Sequence, residues 1–111
     1  MRKKLYSAIS KQYITKPYQA KKNPINKPVV YIVEGKATGT LNSYGLSGIW
    51  EIVRLHPEDV LELDKMVNNI IKIIRNIPEV EGITDISGDD YDADFRAYMR
   101  IITIKIPRGV Y

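Results

Sequence analysis

Apolar and polar positions divide the chain at its first quarter. From residue 29 onward the apolar residues fall into runs with recognisable periods, whereas before it they are scattered among lysines. Val29, Val30, Tyr31, Ile32 and Val33 form an unbroken β-branched and aromatic run. This predicts a strand buried on both faces or central in its sheet. Glu34, Gly35 and Lys36 predict a turn into a short second strand over 37–41. Residues 42–48 carry loop chemistry, and 49–55 predict another strand.

His56, Pro57, Glu58 and Asp59 mark a helix start, with proline suited to the first turn and the acids complementing the helix dipole. Val60, Leu63, Val67, Ile70, Ile71, Ile74 and Ile77 then recur at steps of three and four. Glu62, Lys65, Asn69, Lys72 and Arg75 take much of the other side, so the pattern predicts an amphipathic helix of about five turns. Pro78 stops it. A short strand over 80–87, a polar turn over 88–92 and a long strand over 95–106 follow, with a loose tail at 107–111.

The first 28 residues lack this order. Leu5, Ser7, Ile9 and Lys11 alternate imperfectly with Tyr6, Ala8, Ser10 and Gln12. Pro17, Pro24 and Pro28, with Asn23 and Asn26, then break any regular element. The segment reads as a basic, tyrosine-bearing arm over 1–28: one edge strand and a proline-punctuated linker. Residues 29–111 form a single α+β domain. The expected fold is an antiparallel sheet of four to five strands with one long amphipathic helix on one face, in the order β-(β)-β-α-β-β. The stretch from 49 to 106 resembles part of a ferredoxin-like sandwich, as does the junction running from Asn76 to Ile83. The second helix of that fold is missing after the hairpin. The other sheet face must then be polar, covered by the arm, or paired with another subunit.

Composition narrows the function classes. A chain of 111 residues is the size of one domain. The absence of cysteine excludes disulfides, thiolate metal sites and cysteine nucleophiles, and fits a reducing compartment. No apolar run approaches the ~20 residues that span a bilayer. Met1, Arg2, Lys3 and Lys4 are not followed by the apolar stretch of a signal peptide. The expectation is a cytoplasmic protein with no membrane partner. The abundance of Ile, Lys, Asn and Tyr suggests an AT-rich genome, such as that of a virus, plasmid or archaeal host.

Charge changes the picture more. The net charge is +4, yet all eight basic residues of 1–28 (Arg2, Lys3, Lys4, Lys11, Lys16, Lys21, Lys22 and Lys27) precede the first acid, Glu34. Lysines with Tyr6, Tyr13 and Tyr18 among them suit a polyanion: charge meets phosphate and rings stack on bases. A solubilising tail, or an arm that clasps a neighbouring subunit, would carry the same pattern. On the last strand, Arg96, Tyr98 and Arg100 share one face, predicted to be uncovered. Phe95, Ala97, Met99 and Ile101 share the other, predicted to lie under the helix. Trp50 and Arg54 share a face of their own strand and extend the basic surface. An ordinary half-solvated sheet face explains the same residues.

Other candidates are weaker. Asp85, Asp89, Asp90, Asp92 and Asp94 are dense enough for a hard cation, but Phe95 and Ile101 stand where a calcium loop needs Gly and Glu. A solvated turn accounts for them. Glu34, Gly35 and Lys36 match half of a restriction-type nuclease motif, but no acid precedes Glu34. Gly45 and Gly48 match the GxxG loop of the KH domain in letters only. His56, the sole histidine, suits a helix entry. The leading expectation is a non-enzymatic nucleic-acid-binding protein without cofactor or metal, forming a homodimer. The alternatives are an oligomeric assembly protein whose arm docks on a neighbour and, third, a divalent-metal nuclease.

Overall fold

The computed structural model describes residues 2–18, 21–38 and 47–107. Helix α1 (Arg2–Ile9) leads into strand β1 (Ile14–Lys16), followed by β2 (Val29–Thr38) and β3 (Ser47–His56). Helix α2 (Val60–Arg75), β4 (Gly82–Ile86), β5 (Asp90–Asp92) and β6 (Ala97–Pro107) complete the order. The fold is α+β, with a mixed, open, six-stranded sheet in the order β1-β2-β3-β6-β4; β5 pairs with β6. Strand β1 runs parallel to β2, and the remaining pairs are antiparallel. Because β3 and β4 both run antiparallel to β6, which lies between them, β3-α2-β4 is a split β-α-β unit.

Several expectations are corrected. Among the described residues there are two helices, not one, and the sheet is mixed, not purely antiparallel. The expected edge strand near residue 5 is α1. Glu34, Gly35 and Lys36 do not turn the chain: β2 continues to Thr38, and the register shift between Glu34 and Ala37 is a bulge. Extra residues in one strand bend and twist it without ending the pairing. Residues 39–46, which hold most of the predicted 37–41 strand, the 42–48 loop and Gly45, lie outside the described residues, as does the tail at 108–111. The polar turn at 88–92 includes β5, a short hairpin partner of β6.

Helix α2 follows its apolar period, burying Leu63, Met66, Val67, Ile70 and Ile74. Its N-cap is Asp59, whose carboxylate accepts from the Leu61 and Glu62 backbone N–H groups at 2.8 and 3.4 Å. Pro57 therefore lies before the helix, not in its first turn. His56 Nδ1 accepts from the Glu58 and Asp59 N–H groups, which fixes the entry.

Both helices pack on one sheet face. The main core joins Leu5 and Ile9 of α1 and the apolar stripe of α2 to Val30, Ile32, Ile52, Ile102, Ile104 and Ile106. Residues of the expected arm are thus built into the main core. A smaller cluster on the opposite face comprises Val29, Tyr31, Val53, Leu55, Phe95 and Ala97, with Ile25 packed against it. The segment 21–28 straps this face. Its Ile25 N–H donates to the Phe95 carbonyl at 3.1 Å. Lys22 pairs with Asp92 at 3.0 Å and lies 5.7 Å over the Phe95 ring.

Candidate functional site

Helix α1 has no acid in its first turn and three cations there, an arrangement its dipole disfavours. At eight residues it is also too short to persist alone. Tertiary contact holds it. Leu5 and Ile9, one turn apart, are both fully buried, and Ala8 packs beside them. The Ser10 and Tyr13 N–H groups donate to the Tyr6 and Ile9 carbonyls and close the helix end. Asn69 Nδ2 of α2 donates to the Tyr13 hydroxyl at 3.0 Å, so Tyr13 tethers α1 to α2.

With one stripe pinned, the opposite face is turned outward. Lys3, Lys4, Tyr6, Ser7, Ser10 and Lys11 are exposed, with no acid among them. Two grooves flank this face. One, of about 390 Å³, is lined by Arg2, Lys3, Tyr6 and Pro17. The other, of about 470 Å³, is lined by Lys3, Lys4, Ser7, Ala8 and Lys11. A third, of about 240 Å³, lies away from α1, between the end of α2 and Gly82.

The N-terminal cations are partly matched from within. Arg2 pairs with Glu34 at 3.4 Å, Lys4 with Glu79, and Lys22 with Asp92. The Lys4 hydrogen bond holds the Glu79 carboxyl below its ordinary range. Among the described residues, Lys3, Lys11, Lys16, Lys21 and Lys27 make no ion pair. Tyr18 is 62% exposed.

Strand β6 reverses the expected faces. Tyr98 packs against the helix-side core and meets the Tyr91 ring edge-on at 5.3 Å. Arg100 follows Tyr98 on that face, where Nη1 bonds Asp64 of α2 at 2.9 Å and Nε donates to the Ser87 carbonyl. Arg96 lies outside the strand, exposed, in the left-handed region with φ of 53°. Arg96, Tyr98 and Arg100 therefore form no open basic face, and Phe95, Ala97, Met99 and Ile101 lie on the strap side. Ile102, Ile104 and Ile106 decide the matter, because they are the set fully buried under the helices.

Arg54, expected on that open face, is fully buried instead. Its Nε donates to the Arg100 carbonyl at 3.1 Å, but Nη1 and Nη2 have no hydrogen-bond partner. Burial, and secondarily the positive Arg100, lowers its pKa to about 9. Trp50 is placed by its backbone alone, opposite Ile104.

The acidic cluster is a turn. Asp92 accepts from the Asp94 and Phe95 N–H groups at 2.9 and 3.0 Å, and Asp90 accepts from Tyr91 N–H. Burial alone would raise the Asp92 pKa, but the bonds from Phe95 and Lys22 outweigh it and hold the carboxyl below its ordinary value. Among the described residues, no three Asp, Glu or His side chains converge to hold a metal ion. No helix among them is long and apolar enough to cross a membrane.

The groove between Tyr6 and Pro17 was not anticipated from the sequence. Its signal was the pair Leu5 and Ile9 with Ala8, at helical spacing. No known protein family matches the chain, and none of the curated proteins is significantly similar to it.

Proposed function

We propose that the protein is a non-enzymatic nucleic-acid-binding protein whose contact surface is the outer face of α1. The observation that carries this reading is the pairing of a pinned stripe with a free basic one. Leu5 and Ile9 fix the helix in the core, so Lys3 and Lys11 are presented outward without an ion pair, flanking Lys4, which Glu79 holds. A solubilising tail has no need of such anchoring. Clustered lysines on a rigid element release counterions from a phosphate backbone on contact. Lys16, Tyr18, Lys21 and Lys27 are further exposed cationic and aromatic residues on the segment that follows α1. The ferredoxin-like likeness rests on the split β3-α2-β4 unit and carries no functional weight.

Point substitutions probe the surface without disturbing Leu5 and Ile9 in the core. Titration of fluorescent DNA and RNA, single- and double-stranded, should give a salt-dependent affinity. Lys3→Gln and Lys11→Gln should each reduce the log–log salt slope by about 0.7 to 0.9. No binding to any of the four polymers at low salt would sink the reading.

A second reading is self-association through the strap-side sheet face. Ile14 is 48% exposed there, and Val33, Met99 and Ile101 are half-buried. A monomeric mass at high protein concentration, by analytical ultracentrifugation, would exclude it.

A further inference from the structure

Resting on that reading, we infer that the polymer is bound as a single strand, with one unstacked base held between Tyr6 and Pro17. The groove of about 390 Å³ lined by Arg2, Lys3, Tyr6 and Pro17 is walled by apolar surface, although two of its four residues are cations. A site that met phosphate alone would have no use for such walls. The π-face of a base does: the Tyr6 ring offers it an aromatic stacking surface, and Pro17 adds an apolar wall. Tyr6 is 39% exposed, so its ring is open to a ligand from the solvent side.

The stems of Arg2 and Lys3 line the walls; the Arg2 guanidinium pairs with Glu34, whereas the exposed Lys3 keeps its charge at the rim. Charge at the rim is where the backbone phosphates flanking an inserted base would run. Lys3 also lines the second groove, with Lys4 and Lys11, so the strand has a continuous cationic path along α1. In a duplex the base faces are covered by their neighbours, and flipping one out costs a few kcal/mol. A single strand offers its bases at no such cost.

The test uses the full-length protein and three probes: an oligothymidylate, a strand of equal length in which bases are replaced by abasic sites, and a duplex. The base-bearing strand should bind more tightly than the other two. Tyr6→Ala should cut the ratio of base-bearing to abasic affinity by roughly 5- to 150-fold, whereas Tyr6→Phe should preserve it. Circular dichroism checks that Tyr6→Ala keeps its helices. Equal affinity for the base-bearing and abasic strands overturns the inference and leaves phosphate binding standing. That result does not depend on any variant. Failure to bind any of the three probes overturns the proposed function itself.

Discussion

Among the described residues, Arg54 is the one charged side chain that is fully buried. A guanidinium sealed in a core, with two nitrogens unpartnered and a second arginine beside it, gains too little to offset desolvation. Replacement by an apolar side chain of similar length removes that burden. Arg54→Met should stabilise the protein by about 1–4 kcal/mol, read from urea unfolding; a loss of stability would show that the guanidinium has a compensating partner. The gain depends on pH in a definite sense. The folded-state pKa of about 9 lies below the ordinary arginine value, so between the two the unfolded chain binds more protons. Stability of the native protein then rises with pH above about 9, while below it both states keep the proton and the penalty is constant. The advantage of Arg54→Met should therefore be full at neutral pH and narrow in alkali.

At the scale of elements, α1 and the strap decide how the first quarter of the chain behaves. Leu5→Ala empties a fully buried site and should cost about 2–5 kcal/mol by thermal or urea unfolding. A free arm would lose almost nothing. The strap is locked through Asp92, whose side chain is 8% exposed. Its folded pKa lies below the ordinary aspartate value. The stabilisation is complete above that ordinary value and is lost as pH falls through the lowered one. Asp92→Asn should destabilise the protein at neutral pH and flatten its loss of stability in acid, a comparison made by urea midpoints at about pH 7 and about pH 3.

Strong periods made β2, β3, α2, β4 and β6 legible in the sequence. The helix stripe from Leu63 to Ile74 and the run from Val29 to Val33 each repeat often enough to exclude the alternatives. Helix α1 was not legible, because two buried residues in eight fit a strand about as well as a helix. Gly35 read as a turn because glycine punctuates chains, and here it sits by a bulge within β2. The faces of β6 were exchanged because its apolar set changes face at Ile101–Ile102: Ala97, Met99 and Ile101 lie on one side, Ile102, Ile104 and Ile106 on the other. Only the helices' position distinguishes Ile102 and Ile104 from Ile101. The site followed the same limit: its lysines were visible one by one, but the groove that Tyr6 and Pro17 share depends on α1 and β1 folding back on each other.

At the scale of the whole molecule, charge is separated more by sequence than by space. The basic first quarter is sewn to the acidic remainder at Arg2–Glu34, Lys4–Glu79 and Lys22–Asp92, which leaves the outer face of α1 and part of the strap as the cationic regions. Strand β1 lies parallel to β2, so the chain must cross from one end of the sheet to the other between Lys16 and Val29. Residues 21–28 of that crossing lie on the face opposite α1. The N-terminal segment thus grips both sides of the sheet, and Lys21 and Lys22 stand exposed on the crossing. A tryptic cut there severs the covalent link and leaves both grips in place. The nicked protein should elute from a sizing column as a single particle of unchanged volume and separate into two fragments only in denaturant. The backbone connection at that point is then a tether that raises local concentration, and the shape of the protein is held by what lies on either side of it.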